Sequence, residues 1–301
     1  MRILVTGASG HIGSAVIPEL LTAGHEVLGL ARSDEAASIV AAAGATVLRG
    51  SLDDLEGLHE AAAASDGVIH LAFKHAEMRS GNFAGAAEAD FLAVRSMGDA
   101  LAGSNKPFVI ASGTLSLAFA GLDRPGTETD VAAPGPRTDT ENWVIALAER
   151  GVCSSVVRLP PTVHSSLDHH GFVPTLIEMS REKGNSAYVG DGTSRWPAVH
   201  TLDAARVFRL SIESAPAGSR LHAVGDQGVA FRDIANAIGR GVGTTVLSVT
   251  PEEAAPRFGY LGLFVQLDNP TSSEITQRLL GWTPEHAGLI ADMDEGHYFM
   301  G

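Results

Sequence analysis

The sequence predicts an α/β protein with a Rossmann-type doubly wound parallel sheet and a smaller C-terminal α/β domain for substrate. Two observations carry this: short Val-, Ile- and Leu-rich runs alternate with Ala-rich helical segments through the first half, and a glycine-rich turn directly follows the first run. Such alternation is the pattern of βαβ units. Strands are expected at Ile3 to Thr6, Glu26 to Ala31, Thr46 to Leu48, Gly67 to Leu71, Pro107 to Ala111 and Ser154 to Leu159. Crossover helices fall between them, for example Gly13 to Ala23 and Glu88 to Ala102, because parallel neighbours need a long return connection. From Gly121 to Pro136 the chain carries Pro125, Pro134 and Pro136 among polar residues and glycines, which predicts a surface loop and then a helix from Arg137 to about Arg150.

After Leu159 the regularity weakens. Pro160, Pro161 and the polar stretch Ser165 to Gly171 interrupt the pattern, and helices are expected near Phe172 to Lys183, Leu202 to Ser214 and Phe231 to Gly239. Residues 1–160 should therefore form the core, with a segment near 199–224 returning to it. Residues 161–198 and 225–301 should form the smaller domain.

Composition narrows the function. The chain has 301 residues, 45% of them hydrophobic, enough for one large core or two modest ones. Its formal charge of −14 opposes attraction to phosphate backbones or anionic lipid. Nucleic-acid and membrane-surface roles are discounted, leaving a small-molecule substrate as the expected partner and a homodimer as the assembly to look for. A single cysteine, Cys153, forms no internal disulfide. The opening run Met1 to Gly7 is too short for a signal peptide and no later stretch has the length of a membrane span, so cytoplasmic residence is expected.

The strongest local signal is Thr6-Gly7-Ala8-Ser9-Gly10-His11-Ile12-Gly13, between a strand and a helix. Gly7 permits a tight turn, Gly10 lets the backbone approach a pyrophosphate, and Gly13 lets helix and strand pack closely. The amides at the helix start then face the ligand's negative charge. Gly7, Ser9, Gly10, His11, Ile12 and Gly13 are accordingly candidate cofactor contacts, and the core is a dinucleotide-binding unit. An NAD-preferring site usually places Asp or Glu at the end of the second strand, on the ribose 2′-hydroxyl. This chain reads Leu30-Ala31-Arg32-Ser33 there. Arg32, with Ser33 beside it, suits a 2′-phosphate, so NADP(H) is expected over NAD(H), with Asp34 as the nearby group that opposes it.

The Thr-Gly-x-x-Gly-x-x-Gly spacing resembles the short-chain dehydrogenase/reductase superfamily, and its extended branch of NAD-dependent epimerases and dehydratases in particular. Further segments fit in order. The resemblance implies that Asp53, in Arg49 to Asp54, touches adenine; that Leu71 and Ala72 run along the cofactor; and that Pro160, in Val157 to His164, borders the nicotinamide. It covers essentially the whole chain, although only the first 160 residues carry specific motifs. Superfamily members use a serine with a Tyr-x-x-x-Lys pair, and Ser112 matches the serine. The pair is missing: tyrosine occurs only at 188, 260 and 298, none with lysine four residues later, and the expected helix start reads Arg137-Thr138-Asp139-Thr140-Glu141. The chain thus resembles atypical relatives that keep the cofactor fold without the standard pair.

Candidates for the missing role come from the residues themselves. His164, just beyond the sixth strand, has a side chain whose ordinary pKa suits a general acid or base, or it is a loop histidine bonded to backbone. Lys74 and His75 follow the fourth strand at the ligand-binding edge. Arg137 at the tyrosine's position could stabilise developing charge, or pair with Glu141 at i, i+4 spacing. Asp203 is expected to cap or complement a helix start, and Trp196 to wall the pocket or fill a core. Asp168-His169-His170 lacks a third ligand at metal spacing, so a mobile polar loop is expected and no metal. The leading expectation is an NADP(H)-dependent oxidoreductase acting on a small carbonyl or hydroxyl compound, with Ser112, His164, Arg137 and Lys74 as catalytic candidates. A non-redox lyase, cyclase or epimerase, or a non-catalytic dinucleotide sensor, are the alternatives.

Overall fold

The computed structural model describes residues 1–300, apart from the side chain of Arg79. Its strands, in chain order, are β1 (Arg2–Thr6), β2 (Glu26–Ala31), β3 (Thr46–Arg49), β4 (Gly67–His70), β5 (Pro107–Gly113), β6 (Cys153–Leu159), β7 (Thr162–His164), β8 (Asn185–Val189), β9 (Arg195–His200), β10 (Ser219–His222), β11 (Asp226–Ala230) and β12 (Thr245–Val249). The helices are α1 (His11–Thr22), α2 (Asp34–Ala42), α3 (Leu55–Ala63), α4 (His75–Arg79), α5 (Phe83–Leu101), α6 (Pro136–Ala146), α7 (Phe172–Lys183), α8 (Thr201–Ser214), α9 (Phe231–Val242), α10 (Ala254–Phe258), α11 (Glu274–Leu280) and α12 (Leu289–Asp294).

Seven strands make one sheet in the order β3-β2-β1-β4-β5-β6-β10, and every neighbouring pair is parallel. The chain runs outward from β1 to β3, then restarts at β4 on the other side of β1. That reversal leaves a crevice beyond the carboxyl ends of β1 and β4, where open sheets of this kind bind ligands. The sheet is apolar on both faces, as a strand covered twice must be. One face buries Ile3, Val5, Val109 and Val157 beneath α1 and α8; the other buries Leu4, Val68, Phe108 and Val156 beneath α3, α5 and α6.

A second, smaller lobe is built on the sheet β11-β9-β7 and the pair β12-β8. Its core gathers Trp196, Phe231, Ile234, Phe258, Val265 and Leu289. On α9 the buried residues Phe231, Ile234, Ala235 and Ile238 recur at helical spacing, the stripe of a helix with one face on a core. Trp196 is fully buried and donates its Nε1–H to the Phe264 carbonyl at 3.1 Å, so of its two expected places it takes the core. Among the described residues no helix is long and apolar enough to cross a membrane.

Element boundaries differ from expectation where capping decides them. α1 starts at His11, because Gly10 is its N-cap. α5 starts five residues before Glu88, at Phe83, since the Asn82 side chain accepts the Gly85 amide. After Ala146 the expected single helix tightens into a 3₁₀ turn through Arg150. The strands of the smaller lobe were not expected at all. β7 is three residues long after two prolines, and β9 carries Pro197, both of which hide a strand from pattern reading.

Candidate active site

The site begins at the turn after β1. Gly7 adopts φ +65°, and a Cβ there would lie 2.7 Å from the Ala72 nitrogen and 2.9 Å from the Leu71 carbonyl carbon. The turn therefore presses against the segment leaving β4, which only glycine permits. A Cβ at Gly13 would stand 2.2 Å from the Gly7 oxygen, so the helix also rests on the turn. Gly10 differs: a Cβ there would meet only the Gly7 oxygen, at 3.2 Å, and its outer side is open. No side chain caps α1 and its first turn holds no acidic residue. The His11 and Ile12 end of the helix, with Ser9 before it, thus offers uncapped backbone donors to an anion. This cradle fits the pyrophosphate of a dinucleotide.

At the far end of the crevice Arg32 is exposed just beyond β2. The hydroxyl of Ser33 is used to cap α2, accepting the Ala36 amide at 3.1 Å. Asp34, the carboxylate nearest to Arg32 in sequence, forms an ion pair with Arg49. Asp53 is exposed, and Lys74 Nζ lies 2.8 Å from Asp53 Oδ1 and 3.2 Å from Glu77 Oε1. The hydrogen bond to Asp53 pushes the Lys74 ammonium above its ordinary pKa. Lys74 is thereby tied to the residue assigned to the adenine end rather than to Ser112.

At the other end, β5 delivers Ser112 and α6 delivers Arg137. Ser112 is half-buried. Arg137 Nη2 donates to the carbonyl of Ala111, the residue before Ser112, at 2.8 Å, so the two candidates are neighbours. Its Nη1 donates to Asp90 Oδ2 on α5, and its guanidinium carbon sits 4.8 Å from the centre of the Phe73 ring. Asp90 also takes His70 Nε2 at 3.1 Å, and His70 Nδ1 lies 2.8 Å from Thr6 Oγ1. Burial by itself would raise the Asp90 pKa, but the Arg137 charge and the His70 hydrogen bond outweigh it and hold the carboxyl below its ordinary range.

The expected Arg137–Glu141 pair is not formed. Glu141 turns inward to Arg158, whose Nε lies 3.0 Å from its Oε2, and to Arg220 at 2.7 Å. Helical spacing brought the two residues to one side of α6, but α5 and β6 each offered a better-buried partner. His70, Asp90 and Phe73 were missed as site residues. Asp90 left a signal: it shares the buried face of α5 with Ala86, Ala87, Ala93, Val94 and Met97, and a lone acid on an apolar stripe implies a partner.

His164 is fully buried. Its Nδ1 is 2.8 Å from Asp292 Oδ2, its ring meets His200 edge-on, and its Nε2 has no partner among the described residues. Pro160 is buried at the end of β6. The loop expected to be mobile is anchored: Asp168 is buried, accepting the Gly171 amide at 2.8 Å and the Tyr298 hydroxyl at 3.1 Å. Burial raises the pKa of Asp168. His11 Nε2 joins this region through Thr201 Oγ1 at 2.8 Å. Asp203 does not cap α8, whose first turn is capped by His200; its carboxylate instead holds the Glu285 and His286 amides, each at 3.0 Å. Asp292, Glu295 and His297 bring donor atoms within 4.8 Å of one another, but Asp292 is engaged by His164 and Glu295 is exposed.

Fold and cradle together define a Rossmann protein of the dinucleotide-binding class. Residues 3–224 match the NAD dependent epimerase/dehydratase family, and the chain belongs to that family; a nicotinamide dinucleotide is the cofactor typical of it. The chain is 44% identical over 301 residues to an uncharacterised protein of Schizosaccharomyces pombe, covering 99% of this chain and all of that one. It is 27% identical over 232 residues to a 4-hydroxy-2-methyl-3-oxo-4-farnesyl-3,4-dihydroquinoline-1-oxide ketoreductase of Stigmatella aurantiaca, covering 72% of this chain and 66% of the relative. Among solved structures, the Thermus thermophilus UDP-glucose 4-epimerase in complex with NAD shares the fold, with TM-score 0.76 at 20% identity over 99% of this chain and 98% of that one.

Proposed function

We propose that this chain is an NADP(H)-dependent oxidoreductase acting on a small carbonyl or hydroxyl compound. The observation that carries the choice of cofactor is the exposed Arg32 at the end of β2, with Asp34 paired to Arg49; an exposed guanidinium suits a 2′-phosphate better than a ribose hydroxyl. The amides of His11 and Ile12 at the start of α1 hold the pyrophosphate, the Gly10 amide being spent inside the turn on the Gly7 carbonyl at 3.0 Å, and Asp53 lies at the adenine end. When bound, the dinucleotide supplies hydride chemistry. The protein's part is to place a substrate oxygen beside Ser112 and Arg137, which the Ala111 carbonyl brings together. The name of the Stigmatella relative supports a carbonyl substrate. His164, buried against Asp292, is the weaker candidate for contact with substrate on this geometry.

A non-redox reading keeps one argument of its own: Arg137, in the segment where the resemblance puts a proton-exchanging tyrosine, stays charged and does not readily exchange a proton. The test incubates the protein with stoichiometric NADPH and a panel of carbonyl compounds, following cofactor absorbance and products. Consumption with reduced product is expected. Conversion without net consumption points to the non-redox enzyme, and tight binding without conversion to a sensor.

A further inference from the structure

We infer that Thr6, His70 and Asp90 form a buried positioning chain that fixes Arg137 so that its guanidinium receives the reacting oxygen of a carbonyl substrate. This rests on the oxidoreductase reading and adds to it the residue at the oxygen and the residues that hold it. One placement of the chain's protons satisfies every contact with a neutral His70. In it Thr6 Oγ1 accepts the Ala72 amide at 3.3 Å and shares the Leu71 amide, at 3.2 Å, with its own carbonyl, and its hydrogen goes to His70 Nδ1 at 2.8 Å. His70 then carries its proton on Nε2, which donates to Asp90 Oδ1 at 3.1 Å. That leaves Asp90 Oδ2 for Arg137. Thr6, His70 and Asp90 are each at most 2% exposed, whereas the Arg137 side chain is 27% exposed.

Five elements meet in this chain: the ends of β1, β4 and β5, the middle of α5 and the start of α6. The Thr6 end belongs to the cofactor turn. The Arg137 end stands beside Ser112, at a rim formed by Phe73 and the half-exposed Phe83, whose rings lie 6.5 Å apart. A guanidinium has more N–H groups than the Asp90 and Ala111 oxygens use, and its partial exposure leaves an edge for a ligand. It stays protonated, so its contribution is to stabilise charge rather than to give up a proton. A bound NADPH would supply the hydride for the carbonyl carbon; Arg137 and the Ser112 hydroxyl would stabilise the negative charge left on the oxygen, and solvent water would supply its proton.

The experiment uses the full chain loaded with NADPH, 4-nitrobenzaldehyde as carbonyl probe and benzoate as a non-reacting oxygen ligand. Arg137→Ala should lower kcat by about 10²-fold or more, lose benzoate binding, and leave NADPH affinity within about threefold of wild type. Asp90→Asn should lower kcat by about tenfold with KM unchanged, and by heteronuclear NMR the Arg137 guanidinium protons, separate in wild type, should merge. Arg137→Lys should recover part of both probes' response. Wild-type turnover and benzoate binding in Arg137→Ala would overturn the inference, as would unaltered Arg137 signals in Asp90→Asn. Loss of NADPH binding in these variants would also overturn it, by making the chain a support of the fold. A wild type that binds NADPH and benzoate but reduces no carbonyl would instead sink the redox reading, with the NMR arm still deciding the positioning chain.

Discussion

Gly10 and Arg32 are the single residues at which the proposed dinucleotide site is most directly tested. At Gly10 the outer side of the turn is open because there is no side chain, and a branched one would stand where a pyrophosphate must approach. Gly10→Val should abolish dinucleotide binding in a calorimetric titration while leaving the circular dichroism of a folded chain; unchanged affinity would contradict the cradle. At Arg32 the prediction is selective. Arg32→Ala should weaken NADPH by about 1.5–3 kcal/mol, the worth of a charge-assisted contact, with little change for NADH. Equal losses for both would remove the phosphate-binding role. His164 belongs to the same scale. With its ring enclosed and its Nδ1 on Asp292, His164→Asn should lower thermal stability more than it lowers turnover, and a large loss of kcat at unchanged stability would restore it as the proton carrier.

At the scale of elements, α6 is attached by charge. Glu141 on this helix is buried and shared between Arg158 of β6 and Arg220 of β10, and Arg158 Nη1 also donates to the Asp130 carbonyl at 2.9 Å. Burial would raise the Glu141 pKa, but the two guanidinium groups outweigh it and hold the carboxyl below its ordinary range. Removing the carboxylate leaves the fully buried Arg158 uncompensated, which typically costs about 3–5 kcal/mol. Glu141→Gln should therefore shift the urea midpoint sharply downward. A loss below about 1 kcal/mol would mean that water reaches Arg158 and the pair is worth no more than a surface one. The same element explains why the spacing of Arg137 and Glu141 misled: the helix sets which side they share, and the strands and helix behind it choose their partners.

For the whole molecule, buried histidines link stability to pH, His11 and His222 most strongly and His200, lowered by burial, with the same sign. Burial first, and then the charges of neighbouring histidines, hold His11 down to about 4, and burial holds His222 down to about 4 as well. Both are neutral in the folded chain at a pH where the unfolded chain binds protons. Between about 6.5 and 4 the unfolded state therefore carries more protons, and stability must rise with pH across that window. The melting temperature should fall as pH drops from about 6.5 towards 4, and His222→Gln should make the fall shallower. A melting temperature flat from about pH 7 to 5 would show that neither ring is held neutral. His11 opens α1 at the glycine turn and reaches the start of α8 through Thr201, so its titration bears on the proposed cofactor turn as well as on stability.

Periodicity and glycine spacing by themselves determined the doubly wound sheet, its first six strands and the dinucleotide turn, because these depend on neighbours in sequence: a strand, a turn and a helix within about a dozen residues. The same local reach placed Arg32 and Ser112 at strand ends. What lay beyond it was decided only by tertiary structure. β10 joins β6 across more than sixty residues of chain. Asp90 meets Arg137, and His164 meets Asp292, at separations of 47 and 128 residues. Whether a polar side chain is a ligand-facing group or a buried brace depends on what the rest of the chain brings against it. Sequence could name Arg137, His164 and Lys74 as candidates, but only packing could show that Arg137 is held by Asp90 and the Ala111 carbonyl beside Ser112, Lys74 by Asp53 and Glu77, and His164, fully buried, by Asp292.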